Sequence, residues 1–205
     1  MKQEDLRRRL IQSAISVVAR DGIHKTTTKS ISTEADVNVV YIYRMFEDKH
    51  DLLREAFYAM DHELVSCLEM HKSVMYREEM PIEDRCWEFF INCWRFLLGD
   101  REKCSFFIRY YHSSHFDTYP MERRKETYRA VLESFAPAFI EGADVWLIFN
   151  HMMDIVFSNI LKVLRGHLPD TDEVARAVYD LLYQSLKPYL IWSGTKSPMP
   201  LAVSY

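Results

Sequence analysis

Of the 205 residues, 48% are hydrophobic, 14% are aromatic and five are glycine, enough apolar matter for a sizeable core but too little glycine for a phosphate-cradling loop. The 26 basic and 30 acidic residues give a net charge of −4, which excludes a protein that coats nucleic acid by charge alone. The imbalance is uneven: residues 1–55 hold ten Lys/Arg and nine Asp/Glu, the remainder sixteen and twenty-one, so a polyanion meets less repulsion at the N-terminal end.

Helical periodicity runs through nearly the whole chain, and no segment alternates like a strand with hairpin signals. An all-α fold is expected, with a small head over residues 1–64 and a helical body over residues 65–205. The first helix is predicted over Gln3–Arg20, where Leu6, Leu10, Ala14 and Val18 recur four apart. Gly22 stands where a left-handed residue closes a helix. Two short helices come next, about Thr28–Ala35 and Val39–Phe46. The Thr26-Thr27-Thr28 run offers hydroxyls to the free amides of the first. Between them, Asp36 and Asn38 tolerate the backbone of a tight turn, and Asn38 can cap the second short helix.

A fourth helix, Asp48 to His71, carries a continuous stripe from Leu52 to Leu64. It starts in the head and ends beyond it, so it is expected to connect the two parts mechanically. Further helices are predicted over Pro81–Leu97, Glu102–His115, Met121–Phe135, Ala143–Arg165 and Asp172–Trp192, the last opened by an Asp170-x-x-Glu173 capping pattern. The tail beyond Ser193, with Pro198 and Pro200, is expected to be loosely ordered.

Four cysteines lack CxxC spacing and sit in apolar helical patterns, which fits reduced thiols and a cytoplasmic protein. No apolar segment follows the charged N-terminus, so no secretory signal is expected. Val145–Leu164 is apolar enough to test as a membrane span. Asn150, His151, Asp154, Asn159 and Lys162 interrupt it, and a subunit interface fits better.

The second short helix has a narrow inward face, Ile42, Tyr43 and Phe46. Val39, Val40, Tyr41 and Arg44 are then left pointing outward. Such a helix is either buried on both sides in a bundle or lies in a DNA major groove. The arrangement as a whole favours DNA. Thr26-Thr27, Ile31, Ala35, Val37, Ile42-Tyr43, Phe46, Lys49 and Leu52-Leu53 match the order and spacing of the helix-turn-helix of the TetR family of bacterial transcriptional regulators. The stretch from about residue 4 to 64 resembles that family; beyond it only the overall plan does. Two positions depart from the pattern. Asp36 replaces the usual turn glycine, and Val40 replaces a glycine that lets the recognition helix approach closely.

The resemblance implies a homodimeric, ligand-responsive repressor of a palindromic operator. Thr27, Thr28, Tyr43 and Lys49 are assigned to phosphate contacts, Tyr43 and Lys49 by their family positions. Asn38, Val39, Val40, Tyr41 and Arg44 are assigned to base reading, since valine methyls can pack on thymine and Arg44 can reach guanine. Against these stand a Tyr43 ring packed in the head and a merely solvated Lys49. The resemblance also implies an effector pocket in the aromatic-rich body. Trp87, Phe90, Trp94, Phe107, Tyr110, Tyr111 and His151 are its candidate lining. Dimerisation is assigned to the helices at about 143–165 and 172–192.

No GxSxG, Walker A or GxGxxG motif is present, so neither enzyme activity nor a cofactor is expected. His112 and His115 with Asp117 are the nearest approach to a metal pair, and exposed helix-end histidines are the expectation there. The competing function is a helical small-molecule binder or enzyme whose head is only structural.

Overall fold

A computed structural model describes residues 3–191 of the chain. The predicted end of the last helix at Trp192 and the tail beyond Ser193 lie outside the described residues. Among those described there are nine α-helices: α1 Gln3–Asp21, α2 Thr28–Glu34, α3 Val40–Met45, α4 Lys49–His71, α5 Ile82–Gly99, α6 Arg101–Tyr111, α7 Met121–Phe135, α8 Val145–Leu164 and α9 Asp172–Leu186. Short 3-10 turns come after α4, α6, α7 and α9.

Local chemistry sets the helix ends. Gly22 takes φ +88°, which favours glycine, and a Cβ there would stand 3.2 Å from the Arg109 guanidinium, a tight contact that the long side chain would have to yield to. The sixth helix stops at Tyr111, short of the predicted His115. The Ser113 hydroxyl donates to the Tyr110 carbonyl at 2.7 Å and diverts it from the helical ladder. The ninth opens on Thr171, whose hydroxyl accepts from Val174 N at 3.4 Å, so the expected Asp170 pattern is one residue out. It closes at Leu186 because Pro188 has no amide to donate and restricts the residue before it.

The chain forms two compact units. Residues 3–64 join with Gly99–Pro120, and Val65–Leu98 joins with residues 121–191. A linear division at residue 64 therefore leaves out one feature: the α6 segment packs with the N-terminal unit. In that unit α1 packs on α2 and α6. Its centre is aromatic, with Phe57 of α4 stacked on Phe107 and Tyr110 of α6 at 4.7 and 4.6 Å between ring centroids. Burying each such ring is worth about 1.5–3 kcal/mol.

In the second unit α8 packs on α7 and α9. Trp87 and Phe90 of α5 meet Tyr179 of α9 at 5.3 and 5.5 Å, and the Tyr179 hydroxyl donates to the Glu83 carbonyl at 2.7 Å. Tyr128 of α7 meets Phe149 of α8 at 4.8 Å. Helix α8 is long and apolar enough to cross a membrane, yet only 33% of that stretch is buried.

Candidate nucleic-acid interface

The interface is built on α2, the turn after it, α3 and the start of α4. Thr27 caps α2: its hydroxyl accepts from Ser30 N at 3.0 Å, and the Ser30 hydroxyl accepts from Thr27 N at 2.9 Å. Thr26 is buried beneath, donating to the Gly22 carbonyl at 2.9 Å. Capping of this kind is worth about 1 kcal/mol and fixes where α2 begins.

Helix α2 ends at Ala35, and Asp36 then takes φ +50°, the left-handed turn expected of it. The Asp36 carboxylate lies 3.7 Å from the Arg9 guanidinium, which offsets its negative charge. Asn38 Oδ1 accepts from Val40 N at 2.9 Å in a turn that leads into α3, but the cap residue of α3 is Val39, one later than expected, and it makes no side-chain cap bond.

Helix α3 has one buried anchor. Ile42 is fully buried and Phe46, just past the helix, nearly so. Tyr43 does not share that inward face: it is 58% exposed, because one step past Ile42 on a six-residue helix turns it about 100° away. The reading in which its ring packs in the head is thereby corrected. Val40 and Tyr41 are 50% and 38% exposed, and Arg44 is exposed with its guanidinium 5.4 Å from the Tyr41 ring. Val39, expected to point outward, is half-buried ahead of the helix.

The four residues assigned to phosphate lie on three elements, and hydrogen bonds bring them together in part. Thr28 Oγ1 and the Tyr43 hydroxyl are 3.4 Å apart, joining α2 to α3. Lys49 donates to the Thr26 carbonyl at 3.0 Å, joining α4 to the start of α2. Lys49 is thus held in place, with two of its three ammonium protons left for other acceptors.

Sequence reasoning missed the residue that fixes α3. Arg7 of α1 donates to the Met45 carbonyl and to Glu55, both at 2.9 Å, and its guanidinium lies 4.4 Å from the Phe46 ring. It ties the last turn of α3 to α1 and α4. The signal available was the Arg7-Arg8-Arg9 run, which reads only as charge until α1 is placed.

The seven residues proposed to line an effector pocket divide between the units. Trp87, Phe90 and Trp94 form one group on α5, with Phe90 and Trp94 at 5.6 Å. Phe107 and Tyr110 are buried in the stack on Phe57, and Tyr111 packs on Phe116 at 4.7 Å, all within the N-terminal unit. Burial of its ring pushes the Tyr110 hydroxyl up to about 12. His151 is exposed on α8, 3.1 Å from the Ser185 hydroxyl of α9. Arg124, not singled out from the sequence, is fully buried in the second unit, its guanidinium 5.1 Å from the Tyr128 ring and 5.8 Å from Trp146. Its i, i+4 spacing to Tyr128 was the available sign. Among the described residues no group of three or more His, Cys, Asp or Glu is arranged to hold a metal ion. His112 and His115 are not successive turns of one helix, since α6 has ended before them.

Two short helices across a tight turn, anchored by α1 and α4, make the first unit a helix-turn-helix head. Residues 10–56 match the family described as bacterial regulatory proteins, tetR family. Among curated proteins none matches significantly. The whole chain resembles solved regulators. A TetR family transcription regulator from Marinobacter aquaeolei VT8 aligns with a TM-score of 0.69 at 18% identity, over 90% of this chain and 98% of its own. FadR from Bacillus subtilis, solved in complex with stearoyl-CoA, gives 0.64 at 19% identity over 85% and 96%. The multidrug binding protein EbrR, solved with imidazole, gives 0.59 at 21% identity over 86% and 93%. At these identities the likeness establishes the fold. The chain therefore carries the N-terminal domain of the tetR family on the fold of that family's transcription regulators.

Proposed function

We propose that the protein is a homodimeric, ligand-responsive repressor that binds a palindromic operator. The observation that carries this reading is the outward side of α3, where Val40, Tyr41, Tyr43 and Arg44 are exposed around a single buried anchor, Ile42. Among the described residues that side stays largely open, and a major groove accepts a helix with such a face. Tyr43, Thr27, Thr28 and Lys49 position the head on phosphates; Asn38, Val39, Val40, Tyr41 and Arg44 read bases. The Arg44 guanidinium, lying near the Tyr41 ring, suits a guanine edge, and Val40 suits a thymine methyl.

One head reads only a few base pairs, so two are needed for a specific site. The faces left open on α8 and α9 support pairing there. Leu147 is 40% and Leu181 72% exposed, apolar points in exposed stripes that are otherwise polar on α8 (His151, Asp154, Ser158, Lys162) and mixed on α9 (Ala177, Asp180, Gln184). An isologous four-helix contact between two copies would cover both stripes. The effector is proposed to bind in the second unit near Trp87, Phe90 and Trp94. By linkage, an effector that weakens operator binding is itself bound more weakly by the operator complex, to the same degree.

The test is a binding titration on duplexes enriched by the protein from genomic fragments. Arg44→Ala should lose about 1–3 kcal/mol of affinity and relax specificity at the bases it reads; Lys49→Ala should weaken all sequences alike and lower the salt slope by about one. Undiminished affinity in both variants would return the head to a purely structural role.

A further inference from the structure

His50 is the second residue of α4, and His115 lies in the turn after α6; both belong to the N-terminal unit. Their Nδ1 atoms are 3.1 Å apart, with ring centroids 4.6 Å apart and planes inclined by 45°. Two imidazole nitrogens come this close only when one carries a proton and the other offers a lone pair. The contact is satisfied with both rings neutral or with one charged. It fails when both are charged, because neither Nδ1 then accepts and two cations face each other.

The surroundings push in the same direction. His115 is held below the ordinary imidazole value, first by burial and then by the positive charges of His50 and Lys49 on α4 and His24 in the α1–α2 link. From α6, the Tyr110 ring lies 6.3 Å away. The carboxylate next to His50 on α4 is engaged elsewhere: Asp51 accepts from Arg54 at 2.5 Å and from the Glu47 amide at 3.0 Å.

We propose that His50 and His115 form a proton-sensitive latch in the DNA-binding head, closed while they share one proton and opened by a second. Closed, it fastens the turn after α6 to the first turn of α4, next to Lys49 and its bond to the Thr26 carbonyl. Open, it frees both. The sign comes from linkage. A histidine whose folded value is depressed contributes stability that is complete above the unfolded value of about 6.5 and is lost as pH falls through the folded one. Acid therefore loosens the head even as it adds positive charge.

The test uses the full chain with a chelator present, so that no metal ion occupies the imidazoles. Nitrogen-15 NMR of the histidine rings between pH 8 and 5 should show His115 titrating below an ordinary histidine. In His50→Gln it should move part of the way back, since burial remains. Thermal melts should show the wild type losing Tm between pH 7.5 and 5 more steeply than a His50→Gln/His115→Gln variant. If that variant does not fold, His115→Asn takes its place in the melts, and the wild-type titration needs no variant. An ordinary titration of His115 that His50→Gln leaves unchanged, or melting profiles that run parallel, would overturn the latch.

Discussion

Asp36 carries the sharpest constraint at the scale of one residue. Its φ of +50° is the only positive value among the described non-glycine residues. Asp is one of the few side chains that tolerates it. Asp36→Ala is expected to lower stability by about 1 kcal/mol, whereas Asp36→Gly should hold or slightly raise it; urea titrations of both variants decide the point. Thiol reactivity gives a second residue-level prediction. Burial pushes Cys86 and Cys104 up to about 12. Both therefore stay protonated at pH 8 and should resist iodoacetamide in the native protein, then react fully once it is unfolded, as peptide mass mapping would record. Rapid native alkylation of either would mean that its helix opens far more often than this packing allows.

Among the elements, α3 depends most on the rest of the fold. Six residues do not form a stable helix alone, so its orientation comes from Ile42 beneath it and from Arg7 behind it. Arg7→Ala removes two hydrogen bonds from a charged donor and a ring contact. It should cost about 1–3 kcal/mol of stability. It should also weaken DNA binding although Arg7 itself need not touch DNA. Arg7→Lys should restore little, since one ammonium cannot reproduce the planar fork. If Arg7→Ala binds DNA as the wild type does, α3 is held by something else.

The elements also separate what the sequence carries from what only packing decides. Apolar spacing together with Gly and Pro breaks located the nine described helices, because stripes such as Leu52 to Leu64 on α4 are local statements about which side meets a core. A cap written in one residue type was legible too, as at Thr27. Ends decided by competition were less so. Ser113 takes the Tyr110 carbonyl and Pro188 lacks an amide, and apolar periodicity ran past both. Tyr43 was placed inward because a tyrosine in an apolar pattern gives no sign of which way a six-residue helix will rotate. The partition of the aromatics was hidden for a different reason. Phe107 and Tyr110 look like any pocket lining until Phe57 is found against them, and that pairing joins residues about fifty apart in sequence. In the head, the Thr27 cap and the Asp36 turn were readable because they rest on neighbouring residues, whereas the holds of Arg7 on Met45 and of Lys49 on Thr26 join distant segments and were not. Which aromatics are taken up in a core stack depends on contacts between distant segments.

For the molecule as a whole, the account requires two copies. Leu147→Asp or Leu181→Asp places a charge on the open stripe of α8 or α9, where a partner helix would have to bury it. Each is expected to convert a dimer into a folded monomer in sedimentation at micromolar concentration, with helical content retained. Operator affinity should then fall steeply, since a single head keeps half the contacts. Dimers undisturbed by both changes would move the twofold contact elsewhere.

The central claim, that the outward side of α3 seats in duplex DNA in two symmetric copies, is tested most directly by hydroxyl-radical footprinting on a duplex enriched by the wild-type protein. The account predicts two protected patches related by a dyad and centred about one helical turn, roughly 34 Å, apart, with two chains per duplex and no protection by an Arg44→Ala/Tyr41→Ala variant. A single asymmetric patch, or a footprint that this variant leaves intact, would contradict it.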